Sequence, residues 1–275
     1  MTYAELHCLS CYSFLRAASH PHELVERAAE LGYRALAITD ECSLAGVVKA
    51  HVAAKKVGLQ LIIGSEFNLE EGIRLVALAP TRAAYSELSG LISMARRRSP
   101  KGEYRAALRD VIFHLKRCLI IWLPREDGDG SRAWGLQLGR LCRDRVWLGV
   151  SHLLGNDEVA RYRSLCELAT AIGLPMVACG DVQMHRAARK PLHDVFSALR
   201  HNTSIEQLGR RRAANSQQHL RSPRQLARLY PPALLHETIR IAARCEFTLD
   251  ELRYEYPREV VPEGHDANSY LRELV

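Results

Sequence analysis

The sequence predicts an α/β fold: an irregular, TIM-like (β/α) barrel of seven strands with a C-terminal helical extension. Three observations predict it. Apolar runs alternate with helix-period stretches as far as about residue 185. Several runs end in a residue able to bind a metal or move a proton, as in Ala35-Leu36-Ala37-Ile38-Thr39-Asp40 and Met176-Val177-Ala178-Cys179-Gly180-Asp181. In a barrel of parallel strands that is the end where chemistry sits. One connection, through Glu70-Glu71-Gly72, is short enough only for a hairpin. A doubly wound open sheet competes, because pattern alone does not show closure, but no G-x-G-x-x-G or P-loop supports it.

Element by element, strand one is expected at 4–9. A helix follows with Ser19 as N-cap, Pro21 in its first turn and Leu24, Val25, Ala28 and Leu31 on its apolar face, stopping at Gly32. Strand two spans 35–39, a helix covers about 44–57, and strands three and four occupy 59–67 and 73–79. A helix over 81–97, a basic loop and a second helical stretch to about 115 precede strand five at 118–123. The polar turn Glu126-Asp127-Gly128-Asp129-Gly130 lacks the rest of an EF-hand pattern and reads as a loop. A helix to about 144, strand six at 146–150, a helix at 157–172 and strand seven at 175–180 complete the alternation. After Asp181 the character changes, which places a boundary near 188: a barrel over 1–188 and a helical or extended segment over 189–275. The amphipathic pattern at 269–275 is still running at the last residue, which suggests a longer chain.

Composition excludes several classes. At 47% hydrophobic and 25% charged, the chain is an ordinary globular protein, with no run long enough to span a membrane and no secretory signal pattern. The expectation is a cytoplasmic protein. The formal charge is +7, and Arg far outnumbers Lys. The densest clusters, Arg96-Arg97-Arg98 and Arg210-Arg211-Arg212, suit phosphate contact, although short runs at helix ends are commonly just solvated. The eight cysteines are scattered, most within apolar runs. Cys8-Leu9-Ser10-Cys11 has no second pair at zinc-site spacing. Ser10 and Ser13 have no assignable base, so serine-hydrolase chemistry finds no support.

The candidate site is His7, Asp40, Glu66 and Asp181, each at or near the end of a different strand. Each also has a bland reading: a core histidine for His7, a loop cap for Glu66, a helix cap for Asp40. His152, His185, His193 and His201 read as structural or surface groups.

These motifs resemble a family. His7, Ile38-Thr39-Asp40 with Gly46, Gly64-x-Glu66 and Asp181-Val182-x-Met184 are similar to the motifs of the polymerase-and-histidinol-phosphatase (PHP) fold. Tyr3-Ala4-Glu5-Leu6-His7, Tyr12-Ser13-Phe14-Leu15, Arg189-Lys190-Pro191-Leu192-x-Asp194-Val195 and Leu249-Asp250-Glu251-Leu252-Arg253-Tyr254-Glu255-Tyr256-Pro257 resemble the error-prone, DNA-damage-associated branch of bacterial C-family DNA polymerases, relatives of the polymerase III alpha subunit. Metal-binding members of the fold assemble a multi-metal phosphoesterase site from histidines and carboxylates, which hold ions that activate water and neutralise phosphate. Here the pattern departs at five places: Leu9, Glu41 and Gln183 stand where the family has histidines, Arg16 where it has an aspartate, and Arg74 at a strand-four position resembling a histidine.

The resemblance therefore implies a relict metal site, with Arg16 or Arg74 filling the volume of an ion. It implies a non-catalytic structural or interaction domain of a translesion polymerase, whose DNA-directed synthesis and Mg ions belong to a part of the protein beyond Val275. Implied partners are DNA, translesion accessory proteins and a sliding clamp; no membrane is implied. The alternative is a metal-dependent phosphoesterase or 3′–5′ exonuclease with a reduced site holding at most one Zn or Mn ion, helped by Glu41 or His185. A stand-alone DNA-binding module using the Arg clusters is a third, weaker option.

Overall fold

A computed structural model describes residues 2–124, 131–252 and 261–275. The polar turn at 126–130 and the Arg253–Pro257 part of the family-like motif lie outside the described residues. The strands are β1 (Ala4–Glu5), β2 (Ala35–Ile38), β3 (Gln60–Asn68), β4 (Arg74–Leu78), β5 (Leu119–Leu123), β6 (Val146–Val150) and β7 (Met176–Ala178). They form one seven-stranded sheet in sequential order. Sequential order has no reversal, so the switch point of a doubly wound sheet is missing. The sheet curls until its edges meet at one rim: Leu9 N–H donates to Val182 O at 2.8 Å and Val182 N–H to His7 O at 3.0 Å. β1 is shorter than expected because beyond Glu5 its partner changes. The Thr39 hydroxyl takes the Cys8 N–H at 3.0 Å, and the chain then turns to the strand beyond β7.

β4 runs antiparallel to both β3 and β5, as the short connection predicts. This reversal matters for the site: the first residue of β4, Arg74, lies at the same rim as the last residues of β3, opposite Asn68. In the parallel strands, only C-terminal residues reach that rim.

The helices are α1 (Pro21–Glu30), α2 (Val47–Val57), α3 (Arg82–Arg97), α4 (Leu108–His114), α5 (Ser131–Leu141), α6 (Glu158–Ile172), α7 (Lys190–Arg200), α8 (Pro223–Leu229), α9 (Pro232–Ala243) and α10 (Ala267–Leu274). His20, rather than Ser19, caps α1, with Glu23 accepting the His20 N–H at 2.8 Å; the Ser19 hydroxyl is bound to His185 Nδ1 at 2.8 Å instead.

Two apolar layers result from strand alternation. The outer one packs the sheet against its helices through residues such as Leu24, Leu36, Phe67, Leu75, Leu88 and Leu148. The inner one fills the barrel with Leu6, Ala37, Ile62, Val76, Ile121 and Val177. Its far end is plugged by Ile241, Ala242 and Cys245 at the end of α9. Polar links fix that plug: Gln60 Nε2 donates to Ala242 O and Cys245 O, and Trp147 Nε1 to Glu237 at 2.8 Å. Thus α9 packs as part of the barrel although it lies beyond residue 188. Among the described residues, no helix is long and apolar enough to cross a membrane.

Candidate functional site

At the open rim, His7, Glu66 and Asp181 converge, with one potential ligand atom from each lying within 4.8 Å of the others. All three are buried. His7 Nε2 donates to Glu66 Oε2 at 2.7 Å, and Nδ1 lies 3.5 Å from Asp181 Oδ1, with no hydrogen-bond partner among the described residues. Two guanidiniums enter the same cluster. Arg74 Nη2 donates to Glu66 Oε2 at 2.8 Å and Asp181 Oδ1 at 2.6 Å, and lies 3.5 Å from His7 Nε2. Arg16 Nη1 donates to Glu66 Oε1 at 2.7 Å and Glu41 Oε2 at 2.5 Å. Burial by itself would raise the Glu66 pKa, but the Arg74 charge, the His7 hydrogen bond and the Arg16 charge hold it well below the usual carboxylate range. Asp181 is likewise pushed up by burial, yet the Arg74 and His7 charges bring it down to about 2. Both guanidiniums are stabilised as cations despite burial, through the carboxylates they bridge.

Asp40 does not join this cluster. Its Oδ1 accepts the Ser10 N–H and the Ser13 hydroxyl, each at 2.7 Å, and its Oδ2 accepts the Ser10 hydroxyl at 2.7 Å. Burial raises its pKa, against the lowering effect of those hydrogen bonds. It therefore caps the 10–16 loop rather than the following helix, which Gly46 precedes. Gly46 is required to be small: a Cβ there would lie 2.7 Å from Asp40 Oδ2. The 10–16 loop ends by aiming Arg16, and the residue before it, Leu15, holds a left-handed φ of 57°. Asp181 is also left-handed, at 46°. Such backbone strain persists only where surrounding bonds over-determine it, here beside the cluster.

The other replacement positions have distinct fates. Leu9 is fully buried. Gln183 Oε1 accepts from His193 Nε2 at 2.7 Å, away from the carboxylates. Glu41 is tied to Arg16, to Asn68 Nδ2 at 2.9 Å and to the Tyr104 hydroxyl at 2.9 Å. Glu5, one turn of pleat below His7, takes the His7 N–H at 3.0 Å and the Gly180 N–H at 2.9 Å, locking β1 to the Asp181 turn.

His185 lies with Ser19 and Glu23, and His152 Nδ1 contacts Glu158 at 2.8 Å. Cys11 Sγ sits 3.2 Å from His20 Nδ1, and neither Cys8 nor Cys11 is in a disulfide.

Of the Arg clusters, Arg96 is turned inward: it donates to Cys42 O at 3.1 Å, Glu41 O at 3.2 Å, and the carbonyls of Gly102 and Glu103. It braces the loop carrying Glu41. Arg98 pairs with Asp110 at 2.8 Å, and Arg97 is exposed. Arg210, Arg211 and Arg212 line a cavity beside the site.

Sequence reasoning missed Asn68, Tyr104 and Gln218, the last donating to Asp181 Oδ2 at 2.8 Å. Asn68 was findable: it stands two residues after Glu66 on one strand, hence on the same face. Tyr104 and Gln218 arrive from loops, where no periodicity marks them.

The fold and this rim define a class. Residues 5–130 match the PHP domain family, and the chain carries a PHP domain. Over its whole length the chain is about half identical to the N-terminal part of error-prone DNA polymerases. It is 50% identical over 275 residues to the error-prone DNA polymerase of Saccharophagus degradans, covering 100% of this chain and 27% of that one. It is 52% identical over 274 residues to that of Methylococcus capsulatus, covering 99% and 26%. The chain thus spans about a quarter of the length of these curated relatives. Among solved structures, an amidohydrolase from Chromobacterium violaceum with bound sulfate and no metal superimposes with a TM-score of 0.49 at 16% identity, covering 66% of this chain and 88% of that one.

Proposed function

We propose that this chain is the non-catalytic PHP domain of an error-prone DNA polymerase, in which an arginine–carboxylate cluster replaces the metal centre of a phosphoesterase. Its role in that reading is to brace the polymerase core and hold it against DNA and translesion partners. Nucleotidyl transfer, with its Mg ions, belongs to the rest of the longer protein, reached through residues 189–275.

One observation carries the reading: the Arg74 guanidinium bridges Glu66 and Asp181 beside His7. One imidazole and two carboxylates are a suitable donor set for Zn or Mn, and His7 Nδ1 is a buried nitrogen without a partner among the described residues. With the guanidinium of Arg74 bound to the same carboxylates, however, the residues as arranged do not fit a resident ion: a divalent cation would meet a fixed positive charge at hydrogen-bond range. The loss of imidazoles at Leu9, Glu41 and Gln183 supports the same reading.

The close approach of His7, Glu66 and Asp181 favours a second reading, a one-ion phosphoesterase or 3′–5′ exonuclease. The two separate on hydrolysis of single-stranded DNA ends with added Zn or Mn. The scaffold reading expects none from the native sequence. It expects metal binding to return on combining Leu9→His, Arg16→Asp, Glu41→His, Arg74→His and Gln183→His. Metal-dependent hydrolysis by the native chain would overturn it.

A further inference from the structure

Beside the site, under the end of α7, lies a second cavity of about 260 Å³. Its wall includes Arg200, Arg210, Arg211, Arg212, His193 and His201, together with Arg16 from the cluster, and no carboxylate among the described residues. It abuts the roughly 440 Å³ cavity over the cluster, and Arg16 and Arg200 line both. The arginines of the two regions are treated differently. Arg16 and Arg74 are each paired with two carboxylates. Arg212 shares Asp194 with Lys190, at 2.9 and 2.5 Å. Arg200, Arg210 and Arg211 make no ion pair and no side-chain hydrogen bond among the described residues. Three exposed guanidiniums border one small volume, and together they make a positive potential into which an anion fits.

The local backbone is shaped to hold them there. Gly209 adopts φ 52° and ψ −128°, a conformation open to glycine, and breaks the short 3-10 turn so that Arg210–Arg212 leave it at the cavity. Arg200 comes from the last turn of α7.

We infer that this outer cavity is a phosphoryl-group site, built from Arg200, Arg210 and Arg211. Planar guanidiniums match phosphate oxygens in pairs. Among the described residues the wall offers no Phe, Tyr or Trp, and guanidiniums that bind phosphate oxygens carry no sequence readout, so the site takes the phosphate whatever the base sequence. The phosphoryl group comes either from the backbone of a single nucleic-acid strand or from free phosphate, and the two sources part in the test below. The inference rests on the outer cavity alone and is independent of whether the inner cluster holds a metal.

The test uses the whole 275-residue chain. A fluorescent oligothymidylate and, separately, inorganic phosphate are titrated into the native chain, an Arg200→Ala/Arg211→Ala variant, and Arg140→Ala, which removes one exposed charge on α5. Thermal unfolding of each variant should match the native chain, because neither the Arg200 nor the Arg211 side chain bonds to another group among the described residues.

For the strand, the double variant is expected to bind about tenfold more weakly, with a salt dependence shallower by roughly 1.4 in log–log slope, about 0.7 for each lost phosphate contact. Arg140→Ala is expected to bind as the native chain does. Loss of phosphate binding in the double variant, with oligothymidylate binding unchanged, would support the site and assign it to free phosphate. If the double variant binds both probes as Arg140→Ala does, or the native chain binds neither, the inference is overturned.

Discussion

Asp40 and Asp181 follow β2 and β7, face the same rim, and differ in almost everything that decides their chemistry. Asp40 is held by two hydroxyls and a backbone N–H, and burial raises its pKa. Asp181 is held by a guanidinium and an amide, and its pKa falls to about 2. The first has become part of a loop. The second belongs to a charged cluster whose cations come from the protein. Residue type and position at a strand end therefore nominate a ligand, and the neighbours decide whether it remains one.

The largest expected effect breaks the charged half. Arg74→Ala strips Glu66 and Asp181 of their shared cation and leaves buried charge uncompensated, which costs roughly 3–5 kcal/mol in urea unfolding without divalent ions. Zn or Mn should restore part of that loss in the variant. No loss of stability would mean that Arg74 is not what neutralises the cluster.

Acid sharpens the contrast through opposite signs. Asp181 has a folded-state pKa of about 2 against an ordinary 3.8. Its contribution is therefore present above the unfolded value and lost as pH falls from about 4 towards 2. That contribution is about 2 kcal/mol, and Asp181→Asn should remove this pH dependence. Asp40, with its pKa raised, favours the folded state more at low pH and loses that advantage as pH rises through its folded value. Asp40→Asn should flatten stability in that window instead. Urea midpoints measured across pH for both variants check the two signs, and parallel curves would contradict the comparison.

At neutral pH, Asp40→Asn is expected to cost about 1–2 kcal/mol, since an amide nitrogen cannot accept from Ser10 or Ser13. That loss should be well below the loss in Arg74→Ala. Smallest is Tyr104→Phe: losing the hydroxyl that donates to Glu41 and accepts the Asn68 N–H should cost about 1 kcal/mol. Thermal unfolding of each ranks them, and a Tyr104→Phe loss as large as that of Arg74→Ala would erase the ordering.

Much of the fold was legible because strands and helices differ in period. The hairpin at Gly72 announced the antiparallel β4, and that reversal puts Arg74 at the rim. The short β1 was not legible, because beyond Glu5 the chain takes its bonds from the Thr39 hydroxyl and N–H and then from Val182 instead of continuing the ladder with β2. Neither was the packing of α9, whose Ile241 and Ala242 seal a barrel far from them in sequence. In the site, His7, Glu66 and Asp181 could be chosen from strand ends. Asp40 fits the same rule, and only the Ser10 and Ser13 contacts distinguish it. Arg96 looked like a surface cluster, since nothing in Arg96-Arg97-Arg98 marks which side chain folds back onto the carbonyls of Glu41 and Cys42.

The central claim is that Arg74 stands in for a metal. It is tested most directly by elemental analysis of the purified chain and of Arg74→Ala, each dialysed after exposure to Zn and, separately, Mn. The account predicts far less than one ion per native chain and retained metal in Arg74→Ala, held by His7, Glu66 and Asp181. One or more tightly held ions in the native chain would contradict it.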